Sequence, residues 1–336
     1  MRLLVTGAAG FIGSAFIRLA LTENWAVRVV NLDKLTYAGN LENLASVDQD
    51  PRCRFVRGDI CDAPLVQRLV DEEQPDAIVH FAAESHVDRS ILGPSAFVET
   101  NVRGTFCLLE AARAAQTPRF LHVSTDEVYG SIDAPGHADE TYPLRPSSPY
   151  SASKAGSDLL ALSYFTTFKT PVVITRASNN YGPCQFPEKL IPLMISNAME
   201  DRPLPIYGDG MQIRDWLYVD DHCRAIWAAL NRGREGEIYN VGGSRALPNR
   251  EVVRIILAQL GKPESLMTTV ADRPGHDRRY AITSAKIEQA TGWCTAVPFE
   301  EGIARTIEWY RDNRGWIDRV KSGAYQSYYE QNYGQR

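Results

Sequence analysis

The sequence lacks the long apolar runs that membrane-spanning helices require. No stretch of about 18 consecutive apolar residues occurs, so we expect no spanning helix. The opening segment MRLLVTGAAGFIG reaches its first glycine after a short apolar run, without the h-region and cleavage site of a secretory signal. We therefore expect a cytoplasmic protein.

Cysteine is scarce, and basic residues are outnumbered by acidic ones. The 6 cysteines are scattered without CxxC spacing, and His86 and His276 show no ligand spacing, so we predict reduced core cysteines and no metal. The 36 Lys and Arg against 41 Asp and Glu give a formal net charge of −5. Such a balance argues against nucleic-acid or anionic-membrane partners and favours small-molecule chemistry.

Short β-rich runs alternate with helical patterns through the first half of the chain. This alternation predicts an α/β fold with a doubly wound, Rossmann-type parallel sheet. From about residue 178, Pro- and Gly-rich connections such as NNYGPCQFPEKLIP break the alternation. We predict an NAD-binding domain over 1–178, to which a segment of roughly 210–235 returns, and an interleaved, mainly substrate-binding lobe over 179–336.

A glycine-rich turn follows the first predicted strand. Gly7, Gly10 and Gly13 are spaced GxxGxxG at the start of a helix, where a turn of this kind brings backbone amides against a pyrophosphate. Asp33 ends the next strand, where an acid binds the adenosine ribose and repels the 2′-phosphate of NADP. The pattern predicts NAD, with Lys34 beside Asp33 as the one feature against this preference. Asp59 ends a further strand and is either an adenine contact or a simple turn residue.

A tyrosine and a lysine lie one helical turn apart in SPYSASKAGSDLL. Tyr150 and Lys154 are i and i+4, so a helix places them on the same face. Tyrosine is a poor base at neutral pH, since its reference pKa is about 10. A nearby ammonium and an oxidised nicotinamide favour the phenolate, so we expect the pKa of Tyr150 to be lowered.

These motifs together resemble the extended short-chain dehydrogenase/reductase family, in its nucleotide-sugar branch. HFAAESHVDRS, STDEVYG, RASNNYGP, PEKLIP, IYGDGMQIRDWLYVDDH and ADRPGHDRRY are similar to segments of its 4,6-dehydratases, and the resemblance covers essentially the whole chain. It implies NAD as cofactor, dTDP-glucose as substrate and a 4-keto-6-deoxy sugar nucleotide as product. The reaction would be the first committed step of deoxysugar synthesis, for rhamnose or for secondary metabolites.

The adjacent acids Asp126 and Glu127 follow the apolar run FLHV. Oxidation of a hexose at C4 acidifies the C5 proton, and a hydroxyl at C6 can then leave if one group removes that proton and another protonates the oxygen. Two carboxyl groups at a strand end can do both. Burial and mutual repulsion favour a proton on one of them, but the sequence leaves open which one. Turn capping or pairing with arginine is the alternative.

The resemblance also assigns roles to individual residues. It implies Asp126 as the acid at C6, Glu127 as the base at C5, and Thr125 as a partner of Tyr150 and Lys154. The implied cofactor contacts are Gly7, Gly10, Phe11, Ile12, Gly13, Asp33, Lys34, Asp59, Ile60, Phe81, Ala82, Ala83, Glu84, Thr100, Tyr150, Lys154 and Asn180. The implied substrate contacts are Ser85, Thr125, Asn179, Lys189, Leu190, Pro205, Ile206, Tyr207, Arg214, Asn249, Asp272, Arg273, Pro274, Gly275 and His276.

Simpler structural roles compete at two of these positions, and other functions compete with the dehydratase. Arg214 could pair with Asp215 or Asp220, and Asn249 could cap a helix. A C4 epimerase, a decarboxylase or an idle NAD-bound sensor of nucleotide sugars would use the same scaffold, but none of them needs the adjacent acids. Relatives pair through the helices carrying VRGTFCLLEAARAA and SPYSASKAGSDLLALSYF, so the resemblance implies a homodimer.

Overall fold

A large parallel sheet forms the centre of the chain. The computed structural model describes residues 1–243 and 245–322, so the end of the lobe predicted over 179–336 lies outside the described residues. The elements of the first half are β1 (Arg2–Thr6), α1 (Phe11–Thr22), β2 (Arg28–Asp33), β3 (Cys53–Arg57), α2 (Ala63–Glu73), β4 (Ala77–His80), α3 (Val87–Leu92), α4 (Ser95–Phe97), α5 (Thr105–Ala114), β5 (Phe120–Thr125), α6 (Pro149–Phe168) and β6 (Val172–Ala177).

The second half contributes shorter strands and a second group of helices. These are β7 (Asn179–Tyr181), α7 (Leu190–Met199), β8 (Leu204–Tyr207), β9 (Ile213–Tyr218), α8 (Val219–Arg232), β10 (Ile238–Val241), β11 (Arg245–Pro248), α9 (Asn249–Leu260), β12 (Met267–Val270), α10 (Ala285–Thr291), α11 (Phe299–Asp312) and α12 (Arg314–Val320).

The sheet order confirms the predicted doubly wound fold. Among the described residues, 7 strands pair in the order β10-β6-β5-β4-β1-β2-β3, and every pairing is parallel. The chain runs outward from β1 to β3 and then outward from β4 to β6 on the other side. The order therefore reverses between β1 and β4, and the crevice beyond their carboxyl ends is the usual ligand site of such sheets.

Helices cover both faces of this sheet. On one face, α1 and α8 pack with their apolar residues, including Phe16 and Ile226, against β1, β4 and β5. On the other face, α2, α5 and α6 bury Leu69, Leu108 and Tyr164. Strands buried on both sides read as nearly continuous apolar runs, which is why RLLVT and AIVH carry few polar residues.

The second lobe has its own small sheets and its own apolar core. β9 pairs with β7 and β11, and β8 pairs with β12. The core of this lobe includes Ile195, Trp216, Ile256 and Tyr310. We predicted that roughly 210–235 returns to the first domain. In that range β9 pairs within a small sheet, whereas α8 packs on the large sheet and leads to β10, its edge strand. An apolar strand pattern does not identify the sheet that the strand joins.

Gly7 sits where the turn after β1 touches the strand-end segment of β4. Its φ is +72°, and a Cβ there would lie 2.5 Å from the Ala82 nitrogen. We expect Gly7→Ala to lower the free energy of unfolding by about 1–3 kcal/mol through overpacking, beyond the strain of a positive φ.

Gly261 provides the matched control for this substitution. Its φ is +67°, and no described atom lies within 4 Å of an added Cβ. Gly261→Ala should therefore lose only the conformational contribution, roughly 1–2 kcal/mol. Urea unfolding of both variants measures the difference, and equal losses would contradict close packing at Gly7.

None of the described helices combines the length and the hydropathy that crossing a lipid bilayer would require. The cysteine prediction is only partly right. Cys107, Cys184 and Cys223 are buried, whereas Cys53 and Cys61 are partly exposed and Cys294 is exposed. All six thiols are free.

Candidate active site

One cavity of about 450 Å³ lies over the carboxyl ends of the central strands. Its size falls within the range of sites that bind small molecules and cofactors. Every residue that the sequence assigned to the cofactor lines this cavity, and so do Thr125, Asp126 and Glu127. The cavity therefore joins the glycine turn to the two acids through Tyr150 and Lys154.

The glycine turn presents free amides to one end of the cavity. α1 begins at Phe11 after Gly10, and Phe11, Ile12 and Gly13 line the cavity. First-turn amides have no acceptor within their own helix, and the helix dipole adds positive potential there. A Cβ on Gly10 would meet only the Gly7 carbonyl oxygen, at 3.2 Å, so the turn is open on its cavity side. These features fit a pyrophosphate.

Asp33 closes the same end of the cavity. Its carboxylate accepts hydrogen bonds from the amides of Ala9 at 2.9 Å and Leu35 at 2.8 Å. Burial raises the pKa of Asp33, although these amide bonds act in the opposite direction. The ammonium of Lys34 lies 2.6 Å from the Asp59 carboxylate. Because the positive charge of Lys34 is balanced by the carboxylate of Asp59, Lys34 no longer argues for a 2′-phosphate.

A π-helical turn, Val98–Gly104, shapes the wall that carries Thr100. Its Asn101 side chain accepts from the Glu84 amide at 2.9 Å and donates to the Glu84 carbonyl at 3.0 Å and to Ser153 Oγ at 2.8 Å. The turn thereby ties the segment after β4 to α6. Such π-turns occur frequently at functional sites, and no pattern in the sequence indicated this one.

Tyr150 and Lys154 occupy the first turns of α6. Ser148 and Ser151 form a reciprocal capping box, with both backbone-to-hydroxyl distances at 3.1 Å, and this fixes the start of the helix. Lys154 Nζ donates to the Val123 carbonyl at 2.8 Å. The predicted i, i+4 arrangement is therefore present, with both side chains buried and lining the cavity.

The predicted lowering of the pKa of Tyr150 is wrong for the chain by itself. Burial raises the pKa of Tyr150, and the charge of Glu127 raises it further, against a hydrogen bond with Thr125. Burial also lowers the pKa of Lys154 to about 8, with Asp158 acting in the opposite direction. The sequence argument considered only the attraction between the two groups and left out their desolvation, which has the larger effect on both pKa values.

Asp158 is a buried carboxylate one turn beyond Lys154 on the same face of α6. It lies 2.8 Å from Arg176 Nε and 3.4 Å from His122 Nε2. Burial opposes its charge, yet the hydrogen bond with His122 and the charge of Arg176 hold the pKa of Asp158 at about 2. Sequence reasoning missed this residue, although its i+8 spacing from Tyr150 was visible.

The two acids occupy a short 3₁₀ turn, Asp126–Tyr129, directly after β5. Thr125 caps this turn, because its Oγ1 accepts from the Glu127 amide at 3.2 Å. Burial raises the pKa of Asp126 well above its usual range, and the charges of Glu127 and Asp215 add to that effect. Burial and the neighbouring charges therefore favour the protonated form of Asp126.

Glu127 faces the cavity on one side and a tyrosine on the other. Tyr280 OH lies 3.5 Å from Glu127 Oε2 and donates to Asp277 Oδ2 at 2.8 Å. The Arg214 guanidinium lies over the Tyr280 ring, 4.1 Å from its centroid. Tyr280 stands in the quoted segment ADRPGHDRRY, but only the fold brings it to Glu127.

The predicted substrate residues fall into two groups. Ser85, Thr125, Asn179 and Lys189 line the cavity. The remaining residues lie beside it in the second lobe and are not among the described lining residues: Leu190, Pro205, Ile206, Tyr207, Arg214, Asn249, Asp272, Arg273, Pro274, Gly275 and His276.

Contacts join four residues of the second group to one another or to Asp88. Tyr207 OH donates to Asp88 at 2.9 Å, and Arg273 lies 3.2 Å from the same carboxylate. His276 Nδ1 is 2.6 Å from Asp272, and its ring lies at the edge of the Tyr207 ring. These residues form a polar and aromatic rim whose shape would suit a flat base and its sugar.

The simpler roles considered for Arg214 and Asn249 are not observed. Arg214 donates to the carbonyl oxygens of Ile213 and Asp277 at 2.8 and 2.9 Å. Pro248 is the N-cap of α9, and α9 itself begins at Asn249. Within residues 1–243 and 245–322, the buried atoms Asn249 Oδ1, Arg273 Nε and Asn179 Oδ1 have no hydrogen-bond partner. Unpaired buried polar atoms at a rim are suited to a polar ligand.

Sequence reasoning missed several cavity residues. Most of them flank a predicted position, such as Thr36 after Lys34 or Glu188 before Lys189, so proximity to a motif was the available signal. The additional lining residues are Leu32, Thr36, Ala38, Gly39, Gly58, Ala96, Glu99, Val123, Ser124, Ala177, Ser178, Gln185, Phe186, Glu188 and His222. Across the part of the chain that the structure describes, no group of three or more potential metal ligands occurs.

A family model described as GDP-mannose 4,6 dehydratase matches residues 4–306. That range takes in the large sheet, apart from the first two residues of β1, and the rim of the cavity. The chain belongs to this family. Membership in the 4,6-dehydratase family accounts for both parts of the cavity, the dinucleotide turn and the adjacent acids.

Curated members of the 4,6-dehydratase family match the chain along nearly its whole length. The dTDP-glucose 4,6-dehydratase 1 of Escherichia coli (strain K12) is 53% identical, and the match covers 99% of both chains. The dTDP-glucose 4,6-dehydratase of Xanthomonas campestris pv. campestris is 54% identical over 96% of both.

Solved structures show the same architecture. The DesIV dTDP-glucose 4,6-dehydratase from Streptomyces venezuelae, crystallised with NAD and TYD bound, has a TM-score of 0.93 and 56% identity, covering 96% of this chain and 100% of that one. The UDP-glucose 4-epimerase of Thermus thermophilus, in complex with NAD, has a TM-score of 0.86 and 33% identity, covering 93% and 100%. The fold is thus common to dehydratases and epimerases, so the side chains in the cavity must distinguish them.

Proposed function

We propose that this chain is an NAD-dependent dTDP-glucose 4,6-dehydratase. It converts dTDP-glucose to dTDP-4-keto-6-deoxyglucose by oxidising C4, eliminating water across C5 and C6, and reducing C6, with no net consumption of NAD. Relatives that carry this name at 53% and 54% identity support the proposal.

The observation that carries the proposal is the state of the two acids. Asp126 and Glu127 line one cavity with Tyr150 and Lys154, and burial together with the neighbouring charges of Glu127 and Asp215 raises the pKa of Asp126 well above its usual range. A protonated carboxyl beside a second acid is the arrangement that an elimination needs, since one group donates a proton while the other accepts one. A C4 epimerase has no use for it.

The residues at the glycine turn fit NAD. The open first turn of α1 would hold the pyrophosphate, Asp33 the adenosine ribose, and the wall between Thr100 and Tyr150 the nicotinamide. NAD, when bound, supplies the hydride acceptor for C4 and the hydride donor for C6. Because the same cofactor molecule serves both ends of the reaction, it should stay bound through the cycle.

Tyr150 acts at the C4 hydroxyl. Its phenolate accepts the hydroxyl proton, and Thr125 beside it orients the same oxygen. The buried ammonium of Lys154, held by the Val123 carbonyl at 2.8 Å, lies in the same pocket and stabilises the phenolate. The negative charge of Asp158 in turn favours the charged form of Lys154. In the chain by itself burial keeps Tyr150 a phenol, so the phenolate requires both the ammonium and the positive charge that an oxidised nicotinamide would add.

Glu127 and Asp126 act at the next two carbons. Once C4 is a ketone, Glu127 removes the C5 proton and the electron pair enters the conjugated carbonyl. Asp126 donates its proton to the C6 oxygen, so the C6–O bond breaks and water leaves. After C6 has been reduced, Glu127 returns a proton to C5. The cycle closes when Tyr150 releases the proton taken from the C4 hydroxyl and Asp126 regains one from solvent, so that the protons balance.

The rim residues of the second lobe would bind the nucleotide. Arg214 and Arg273 supply cations for the diphosphate, and Tyr207 with Ile206 offers a flat apolar surface to the thymine. A single methyl group distinguishes thymine from uracil and is worth only about 1–3 kcal/mol in an apolar pocket. We assign dTDP on the strength of the named relatives.

We also propose that the chain forms a homodimer through the helical turn of 98–104, α5 and α6. Exposed apolar side chains concentrate there: Val98 is 57% exposed, Phe106 45%, Leu159 57% and Phe168 51%. Clusters of this kind mark protein interfaces. We expect Leu159→Asp to halve the mass measured by light scattering, whereas Val27→Asp, at a 68% exposed position outside the cluster, leaves it unchanged. A monomeric mass for the unmodified chain would contradict the proposal.

We place the enzyme in the cytoplasm, where NAD and nucleotide sugars are available to it, and at the first committed step of deoxysugar synthesis. The division into an NAD-binding part and a substrate-binding lobe stays part of the proposal. The placement of the residues supports that division, since the cofactor-type residues line the cavity over the large sheet and the rim residues belong to the second lobe.

The experiment is an incubation of the purified protein with dTDP-glucose. A dehydratase gives a 4-ketosugar, detected by its absorbance in alkali, without accumulating reduced cofactor. Rates with dTDP-, UDP-, CDP- and GDP-glucose compared at equal concentration identify the nucleotide. Formation of dTDP-galactose would indicate an epimerase, and binding without any product would indicate a sensor, so either result would refute the proposal.

A further inference from the structure

A chain of hydrogen bonds leads from the base Glu127 to the protein surface. Tyr280 OH lies 3.5 Å from Glu127 Oε2 and 2.8 Å from Asp277 Oδ2. Ser147 Oγ donates to the same Asp277 oxygen. Tyr280 and Asp277 are buried, whereas Ser147 is exposed. The chain therefore connects the interior with solvent in three steps.

This chain of groups leaves the active site on the side away from the cavity. Glu127 lines the cavity, but Tyr280, Asp277 and Ser147 are not among the described residues that do. When cofactor and hexose fill the cavity, they cover the cavity side of Glu127. The route through Tyr280 remains open under those conditions, because it passes through the protein.

The backbone holds these groups in place. The Tyr280 amide donates to the Ile213 carbonyl at 3.2 Å, and the Arg279 carbonyl accepts from the Ile132 amide at 2.9 Å. The Arg214 guanidinium covers one face of the Tyr280 ring and also donates to the Asp277 carbonyl. The backbone of Tyr280 is thus held by β9 and its neighbour Arg279 by the segment after β5, and the Tyr280 hydroxyl lies between the carboxyl groups of Glu127 and Asp277.

We propose that Tyr280 and Asp277 relay the proton between Glu127 and solvent, so that C5 receives a solvent proton. This inference rests on the proposed function and deepens it. After Glu127 has taken the C5 proton, its carboxyl O–H donates to the Tyr280 oxygen, while the Tyr280 O–H passes its own proton to Asp277. Asp277 releases that proton to water at Ser147. The same path in reverse delivers a solvent proton to Glu127 and then to C5, so one proton leaves and one enters.

A phenol is suited to the middle position of such a relay. Burial and the charges of Glu127 and Asp277 raise the pKa of Tyr280 well above its usual range, so the group stays neutral. A neutral hydroxyl can accept on its oxygen and donate its hydrogen at the same moment, without ever carrying a net charge. A charged intermediate in this buried position would be strongly disfavoured.

The test measures the origin of the hydrogen at C5. The protein with its bound cofactor is incubated with dTDP-glucose in deuterium oxide, and early product is examined by mass spectrometry and NMR, before the ketosugar exchanges in solution. We expect deuterium at C5 in nearly all product of the unmodified chain. In Asp277→Asn and Tyr280→Phe, Glu127 should return the substrate's own hydrogen, so that most of the C5 deuterium is lost.

Two variants keep the test decisive. Asparagine at 277 still accepts from Tyr280 and Ser147 but cannot take up a proton, so the relay stops while the local hydrogen bonds persist. Should this variant not fold, Tyr280→Phe decides. Asp209→Asn, an exposed acid paired with Arg278 in the same lobe, is the control and should keep full deuterium incorporation.

The possible outcomes separate the relay from the proposed function. Product formation with unchanged C5 deuterium in both relay variants would overturn the relay and leave the dehydratase standing; exchange through cavity water would then be the route. Absence of any 4-ketosugar from the unmodified chain would instead refute the function. Retained hydrogen at C5 in either relay variant, with deuterium in the control, supports the relay.

Discussion

Tyr150→Phe should lower the rate of C4 oxidation by about 10²–10⁴-fold, the usual contribution of a positioned acid or base. Phenylalanine keeps the ring that packs edge-on against Phe97, with centroids 6.3 Å apart, so the fold should be retained. Only the hydroxyl that receives the C4 proton is lost. Because C4 oxidation precedes every other step, neither 4-ketosugar nor reduced cofactor should appear at the normal rate.

Single-turnover absorbance of the reduced cofactor and product assays measure this effect. Tyr142→Phe is the matched control, because Tyr142 packs against Tyr129 and is not among the described residues of the cavity. It should keep full activity. Normal C4 oxidation in Tyr150→Phe would show that another group takes the proton and would remove Tyr150 from its role.

Local patterns in the sequence were sufficient for the large sheet and for the cofactor end of the cavity. Alternating strands and helices have few topologies, so β1, α1 and β2 could be placed with the glycine turn and Asp33 at one edge. Tyr150 and Lys154 needed only the helical period. Each of these inferences depends on residues that are near one another in the chain or lie at equivalent strand ends.

Residues that reach the site through long-range packing were not predicted. Tyr280 comes to Glu127 across 153 positions, and Asp158 pairs with Arg176 only because α6 packs on β6. In the same way, β9 and β10 lie on either side of α8 but join different sheets, which the sequence pattern did not indicate. Contacts of this kind depend on the whole fold and leave no local period.

The directions of the pKa shifts in the site also could not be predicted from sequence motifs. The sequence pointed to attraction between Tyr150 and Lys154, but the depth of burial decides the direction of both pKa shifts. In the same way, the sequence presented Asp126 and Glu127 as equals. The pKa of Asp126 is raised because its side chain is only 2% exposed and because the charges of Glu127 and Asp215 act on it.

Glu127→Gln should stop the cycle after C4 oxidation. Glutamine occupies the same volume but cannot take the C5 proton, so we expect overall turnover to fall by about 10²–10⁴-fold while the first oxidation proceeds. Reduced cofactor should then accumulate on the protein, and substrate recovered from deuterium oxide should carry no deuterium at C5. This phenotype differs from that of the relay variants, which still form product.

The matched control is Glu140→Gln. Glu140 accepts from the Asn240 amide at 2.8 Å, a bond that glutamine preserves, and it is not among the described residues of the cavity. That variant should turn over normally. If Glu127→Gln incorporated deuterium at C5 as fast as the unmodified chain, another group would have to remove the C5 proton, and the division of labour between the two acids would be wrong. A faster C4 oxidation in Glu127→Gln would show that Glu127 also influences Tyr150, because its charge raises the pKa of that phenol and glutamine removes the charge.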